Sequence, residues 1–355
     1  MRLLAIETSC DETSAAVVEK LDSNVLLHSN ITASSVNIHA QTGGIIPENA
    51  AREQLKTILP VITEALLNSE KLTVKNQEEA LVYASKIISE KIDGIAVTVG
   101  PGLIGSLLVG VETAKTLSFV HNKPLYQINH LLGHIYANFL IQNETDDKKI
   151  EFPFIGLVVS GGHTDLLYFE SHTKYQWLGG TRDDAAGEAL DKIGRMLDIS
   201  YPAGHEIEKR AMEADDKNIS FQSPLIHDHS YDFSFSGLKT EVMRFVKKTT
   251  LDPDTVKSIC YATQSATMKV IVKKTLRALH EFNTNTLLVG GGVAANNYLR
   301  ESLSLEAKKQ KVALKLFVPP AYLCADNAAM IGARAAVAEQ ALFWESAKAL
   351  PELYF

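Results

Sequence analysis

Cysteine is scarce in this sequence: Cys10, Cys260 and Cys324 are the only three, and no two form a CxxC pair. A disulfide framework is therefore excluded as the source of stability, and with no secretory apolar core behind Met1 the expected compartment is the reducing cytoplasm. An excess of basic charge is missing as well. With 42 acidic against 35 basic residues the formal charge is -7, which argues against a broad basic face that grips nucleic acid unaided. A nucleic-acid substrate would need help from a partner. Low-complexity tracts and long heptad arrays are also lacking. The stretch from Gly94 to Val111 is apolar and uncharged for almost the length of a membrane span, but it holds Pro101 and the glycines 100, 102, 105 and 110. It reads as a strand (Gly94 to Val99), a Gly-Pro-Gly turn and a buried helix from Leu103, so no membrane span is expected.

What is present is a chain of 355 residues, 46% of them hydrophobic, enough for two domains with a core each. Three short strands are predicted at Leu3 to Thr8, Ser14 to Glu19 and Val25 to Thr32, and three more at Phe154 to Ser160, Thr164 to Phe169 and Tyr175 to Leu178. Each set is followed by a strand entering a glycine-rich turn and a helix: Ile95 to Val99 before Gly100-Pro101-Gly102, and Thr286 to Val289 before Gly290-Gly291-Gly292 and a helix over Val293 to Leu303. The repeated order suggests a duplicated α/β fold, its break near the polar run Asn143 to Lys149 and its ligand cleft between the halves. The expected domains are 1–145 and 150–355, with a C-terminal helix returning to the first half.

His130 and His134 in NHLLGHIY follow a predicted strand, Leu125 to Ile128. On a helix this spacing stacks two imidazoles on one face, as two ligands of one metal ion require, although two ordinary histidines satisfy the same pattern. Zinc peptidases use HExxH; here Leu131 stands where their general base would be, so metal-activated peptide hydrolysis lacks its proton acceptor. Asp326, in LCADNAAMIGARAA, precedes a small-residue helix and fits either an N-cap or a cation ligand. Gly161-Gly162 and Gly290 to Gly292 follow strands and let backbone amides approach an anion, but neither matches a P-loop or a dinucleotide fingerprint. The run RDDAAGEALDKIGRML reads as a helix capped by Asp183, with Leu190, Ile193 and Leu197 as its apolar stripe and Asp191 beside it. Lysine pairs such as Lys247-Lys248 read as solvated faces.

Taken together, IETSCDETSAAVV at Ile6, GGIIPENAAREQ at Gly43, GPGLIGSLLVG at Gly100, NHLLGHI at Asn129, VVSGGHTDLL at Val158, DDAAGEALDKIGRMLDISYPAG at Asp183, DFSFSGLKT at Asp232, GGVAANNYLR at Gly291 and CADNAAMIG at Cys324 resemble, in order and over nearly the whole chain, the universal threonylcarbamoyl transferase family, called TsaD in bacteria and formerly known as a glycoprotease family. The resemblance implies the duplicated actin-like (ASKHA) fold of actin, sugar kinases and heat-shock chaperones. It implies that His130, His134 and Asp326 bind one divalent metal, Fe(2+) or Zn(2+). It implies that Val158, Val159, Ser160, Gly161 and Gly162 line threonylcarbamoyl-AMP, and that Asp191, Gly204 and Asn296 contact its nucleotide. The substrate is then tRNA, the reaction acyl transfer to an anticodon-adjacent adenosine, and the partners a TsaB-like paralogue and a TsaE-like ATPase in a bacterium, or a second copy where the chain works alone. Asp11 and Glu12 are candidates for positioning or proton transfer, or else an exposed turn.

Two departures stand out. The chain reads YPAGHEIE where the family usually has YPGG followed by an aspartate, so Ala203 replaces a glycine and Glu208 stands for the acid. The segment Ser69 to Lys91 is longer than usual and is expected to add a surface helix with Leu81, Ala84 and Ile88 as its stripe. A small-molecule kinase of the same fold, or a non-catalytic dimerisation platform, are the alternative functions; neither needs the histidine pair.

Overall fold

The computed structural model describes residues 1–34, 46–338 and 340–355; the opening residues 43–45 of the GGIIPENAAREQ segment lie outside them. The chain divides into two units, Met1–Ile150 together with Ala325–Phe355, and Glu151–Cys324.

The first unit opens with an antiparallel meander, β1 (Arg2–Glu7), β2 (Glu12–Leu21) and β3 (Asn24–Ser34). Two helices follow, α1 (Pro47–Ser69) and α2 (Gln77–Lys91), then β4 (Gly94–Gly100), α3 (Ile104–His121), β5 (Leu125–Asn129), α4 (His130–Tyr136) and the short β6 (Leu140–Ile141). Strands β4 and β5 run parallel to β1, giving the order β5-β4-β1-β2-β3-β6. Nearly every residue of β1 and β4 is buried, because both faces of the sheet are covered and a doubly covered strand reads as a continuous apolar run. On one face Leu4, Ile6, Ala15 and Val17 meet Ile58, Ile62 and Leu66 of α1.

The Gly94 to Val111 stretch is thus a strand, a turn and the start of a helix; among the described residues no helix is long and apolar enough to cross a membrane. Helix α3 is less buried than expected, since Ile104 and Leu108 face outward. The added helix α2 forms, capped by Asn76, whose side chain accepts from the Glu79 N–H. Its stripe differs from the expected one. Ala80, Ala84, Ile87 and Ile88 are buried while Leu81 is exposed, so the buried face of the helix that packs beside α1 runs through Ala80, Ala84, Ile87 and Ile88, residues spaced three and four apart.

The second unit repeats the plan. β7 (Phe154–Val159), β8 (Thr164–Phe169) and β9 (Tyr175–Gly180) form an antiparallel meander, and β10 (Thr286–Gly290) and β11 (Lys315–Phe317) add in parallel beside β7, in the order β11-β10-β7-β8-β9. Five strands in the same order, with the same parallel and antiparallel senses, recur in both sheets; even the bulge falls between the second and third strand of each meander. The helices are α5 (Ala186–Met196), α6 (Gly204–Met212), α7 (Ser236–Val246), α8 (Pro253–Glu281) and α9 (Asn297–Lys309).

Two local expectations change here. α5 starts three residues after Asp183, which instead accepts from the Phe235 and Ser236 N–H groups at 2.7 and 3.2 Å and from the hydroxyls of Ser234 and Ser236, pinning the start of α7. The predicted helix from Val293 begins later, since Asn296 caps α9 through Leu299 N–H and only a short 3-10 turn precedes it. The last helix, α10 (Ala328–Ala338), belongs to the first unit and packs on β1, β2 and α4.

Candidate metal centre

The centre lies wholly in the first unit and begins with a helix cap. Asn129 ends β5, and its side-chain oxygen accepts from the N–H groups of Leu131 and Leu132 at 2.9 and 3.2 Å, so the strand passes directly into α4. His130 and His134 then fall on one face, both buried, with ring centroids 4.7 Å apart in an edge-to-face pair. Leu131, in the place of a peptidase's glutamate, is fully buried. Gly133, between the histidines, lets α10 come close, since a Cβ there would lie 2.8 Å from Ile331 Cδ1.

That approach delivers Asp326. The N-cap role open to Asp326 is taken by its neighbour, for Asn327 Oδ1 accepts the Met330 N–H at 3.1 Å. Asp326 Oδ1 instead stands 3.5 Å from His130 Nε2 and 3.2 Å from His134 Nε2. Ligand atoms at about 2.0–2.1 Å from a tetrahedral ion are separated by about 3.3 Å, so these spacings suit a shared cation. The three side chains form a group that can hold a metal ion. A second observation supports the fit. Both ring nitrogens of His134 are buried without a hydrogen bond, so the 3.2 Å approach to Asp326 lacks hydrogen-bonding direction, and a buried polar atom left in that state costs about 1–3 kcal/mol unless something else satisfies it.

A residue that sequence reasoning passed over completes the centre. Glu7, at the end of β1 and 1% exposed, lies 3.1 Å from His130 Nδ1 through its Oε2, and Ser9 Oγ shares that nitrogen at 3.1 Å. The carboxylate is itself held by Thr98 Oγ1 and by the Ser9 N–H. A carboxylate on the far nitrogen fixes the tautomer and aims Nε2 at Asp326, the usual outer support of a metal-binding histidine. The signal in the sequence was an acid closing the apolar run LLAI of a strand, RLLAIE.

Electrostatics agree with a site made for positive charge. Burial opposes charging of His130, but Asp326 and Glu7 outweigh it and hold the imidazolium well above the usual histidine range. Burial pushes His134 down, and the neighbouring His130 charge adds to that. Asp326 is held well below the usual carboxylate range because the two histidines overcome the effect of burial. Burial, then the negative charges of Asp326 and Asp11, push Glu12 up to about 10, so it is neutral near pH 7. Asp11 is buried, not the exposed turn that the sequence left open.

The other candidate residues are all in the second unit. Val158 and Val159 lie in the central strand with side chains in the core, so only their backbone is available to a ligand. Ser160 and His163 close a tight turn, Ser160 N–H to His163 O at 2.8 Å, with Gly161 and Gly162 at its tip. The start of α5 abuts this turn, Gly187 N–H donating to Ser160 O. Farther along α5, Asp191 accepts the Ala203 N–H at 2.7 Å beside Gly204, and burial raises its carboxyl. Glu208 on α6 accepts the Asn297 N–H at 2.7 Å, and Asn296 donates to Gln264 Oε1 at 2.9 Å. Each polar member therefore has a structural role as well. Asp165, unremarked in the sequence, is buried on β8, with its Oδ1 accepting Trp177 Nε1–H at 3.0 Å, and burial raises it to about 6.

Comparison with known proteins agrees with this architecture. Residues 27–333 match the family model TsaD, described as tRNA N6-adenosine threonylcarbamoyltransferase. The chain is 44% identical over 333 residues to the tRNA N6-adenosine threonylcarbamoyltransferase of Geotalea uraniireducens, covering 93% of this chain and 89% of that one. It is 42% identical over 335 residues to the protein of the same name from Moorella thermoacetica, covering 94% and 90%. Among solved structures, component A of (R)-2-hydroxyglutaryl-CoA dehydratase from Acidaminococcus fermentans matches with a TM-score of 0.50 at 14% identity, covering 95% of this chain and 96% of that one. HypF of T. kodakarensis matches with 0.57 at 14% identity, covering 94% and 47%. These two share the fold, which is actin-like, in accord with the repeated sheet plan. The extent of the family match and the identity to its curated relatives lead to one conclusion: the chain belongs to the TsaD family of tRNA N6-adenosine threonylcarbamoyltransferases.

Proposed function

We propose that the chain transfers the threonylcarbamoyl group of threonylcarbamoyl-AMP to the N6 amine of the adenosine 3′-adjacent to the anticodon, in tRNAs that read codons beginning with A. The observation that carries this reading is the triad of two buried histidines, His130 and His134, with the part-exposed Asp326, in a chain 44% identical to a relative named for the activity. In the reaction N6 attacks the carbamoyl carbon, the bond from that carbon to the phosphate oxygen breaks, AMP leaves, and the N6 proton passes to a base.

Two imidazoles and one carboxylate with positions left open suit Fe(2+) or Zn(2+), and the chemistry such an ion supplies when bound is Lewis-acid polarisation and anchorage of the acyl group. In this reading Glu7 keeps His130 in the tautomer that leaves Nε2 as the donor atom. Glu12 and Asp11, whose charges interact with each other and, for Glu12, with Asp326, are the residues that position the reacting groups or move a proton. The Val158–Gly162 backbone receives the adenylate. A Cβ on Gly161 or Gly162 would meet no protein atom, so a ligand can approach the backbone there closely. Asp191 and Glu208, each oriented by one backbone N–H, bind ribose hydroxyls together with Gly204 and Asn296. Because the chain is acidic overall, tRNA is held with the help of a TsaB-like paralogue and a TsaE-like ATPase, or of a second copy.

The test is a reconstitution in the cytoplasm's reducing conditions: purified chain, metal analysis, threonylcarbamoyl-AMP and unmodified tRNA, with and without those partners. Modified adenosine that depends on the chain is the expected result. If no combination yields it, the assignment fails.

A further inference from the structure

The last residues of the first unit run as an irregular strap, with one 3-10 turn at Trp344–Ser346, across the turns that build the metal centre. Leu342 N–H donates to Leu125 O at 2.8 Å, placing the strap beside the edge of β5, and Gln127 Nε2 donates to Ser346 Oγ at 3.1 Å. Leu350 N–H then donates to Val99 O at 2.6 Å, Gly102 N–H to Pro351 O at 3.2 Å, and Asn129 Nδ2 to Leu353 O at 3.1 Å. The strap seats on a surface cut to admit it: a Cβ on Gly100 would lie 1.9 Å from the Leu350 carbonyl oxygen, and Ala347 is buried in the core of the unit.

Two of these contacts lead straight to the triad. Asn129 is the cap of α4, so the amide whose oxygen holds the first turn of the histidine helix has its nitrogen held by the strap. Gly102, fixed by Pro351, lies against Ser9, and Leu103 N–H donates to Ser9 O at 2.7 Å. Ser9 in turn touches His130 Nδ1. The Asn129 amide is thus held at both ends, its oxygen by the helix N–H groups and its nitrogen by the strap.

We propose that residues 342–354 are a positioning strap for the metal centre, acting through Asn129 and through Ser9 to fix the angle of His130 and His134. The proposal rests on the reading that the triad binds a metal. The key residue is Asn129, because a serine there still offers an oxygen to the helix N–H groups but has no amide for Leu353. Displaced outer supports of a metal ligand weaken binding by about 10–100-fold, and the angle change alters the ligand field.

The experiment uses the full-length chain and three variants: Asn129→Ser, Ser346→Ala as a strap contact remote from the histidines, and a chain ending at residue 341. Zinc affinity is measured by competition with a chromophoric chelator, and Co(II) visible absorption reports the coordination geometry. Circular dichroism and thermal melting establish that each variant is folded. The expected result is that Asn129→Ser, folded, loses about tenfold or more in zinc affinity and changes its Co(II) spectrum, while Ser346→Ala keeps both. The shortened chain, where it folds, behaves like Asn129→Ser. Unchanged affinity and spectrum in a folded Asn129→Ser would overturn the strap while leaving the metal reading intact. An equal loss in Ser346→Ala, in step with its melting temperature, would also overturn it, since the effect would then be general destabilisation. Failure of the unaltered chain to bind zinc or Co(II) at one ion per chain would overturn the metal reading and the strap with it.

Discussion

At the scale of single residues, His134→Ala removes a proposed metal ligand whose nearest polar neighbour is Asp326 Oδ1 at 3.2 Å, leaving that carboxylate with His130 as its remaining histidine partner. We expect the variant to fold with a destabilisation of about 1–3 kcal/mol, from lost packing, and to hold less than a tenth of the metal that the parent holds. Plasma emission analysis of the purified variant checks this; a full metal complement would remove His134 from the ligand set. Asp165 offers a test of a different kind. Its folded pKa, about 6, lies above the ordinary value of 3.8, so the stabilisation from its neutral form is complete below the unfolded pKa and is lost as pH rises through about 6. Asp165→Asn keeps an acceptor for Trp177 and should gain up to about 3 kcal/mol near pH 7, with little gain near pH 4. Urea unfolding at the two pH values decides; an equal effect at both would mean that the carboxylate is better paired than its burial implies. Residues of this type were hard to read in advance. His130, His134 and Asp326 were visible because their motifs are, whereas Glu7 and Asp165 sit in strands where one acid among apolar neighbours carries no spacing to mark it.

At the scale of elements, what the sequence showed best were strands and their order, since alternation and turn residues are local properties. Helix starts were less legible. Asp183 reads as the cap of the helix that follows it and instead pins α7, fifty-odd residues on, because that helix starts only at Ala186 and the carboxylate meets the Phe235 and Ser236 N–H groups, a contact with no local signal. Asp326 looked like a cap and gave that task to Asn327. The added helix α2 was legible as a helix but not in rotation, and the rotation is testable. Leu81→Lys should change stability by no more than about 0.5 kcal/mol, since the residue already faces water. Ile88→Lys, on the face buried against the first unit's core, should cost about 3 kcal/mol or more. Urea midpoints of the pair compare the two faces directly, and equal effects would refute the observed face.

At the scale of the molecule, the repeated five-strand plan is legible as a repeated order of elements, and the return of a C-terminal helix to the first half is expected too; the extent of the returning segment, Ala325–Phe355, is what only the structure supplies. All three metal-binding candidates therefore fall within one unit. Zinc at a hundredfold excess over its dissociation constant should stabilise the structure that contains the site by about 2.7 kcal/mol. Hydrogen exchange should register this as slower exchange in peptides from β1, α4 and α10, with chelator reversing it and β7 and β8 unaffected as a local response. Equal protection across both units would show that the ion acts on the whole chain rather than on the unit that contains its ligands.

The late position of Asp326 also sets a timetable. As the chain emerges from a ribosome, β1 and α4 appear early with both histidines, but the helix that covers them and the acid that completes the triad come only after the second unit has been made. The second unit is continuous and can close first, while the N-terminal sheet waits, incomplete, for its last helix. An ion held by all three side chains can therefore be captured only after Asp326 has been made, and a product that stops before Ala325 carries both histidines without the acid.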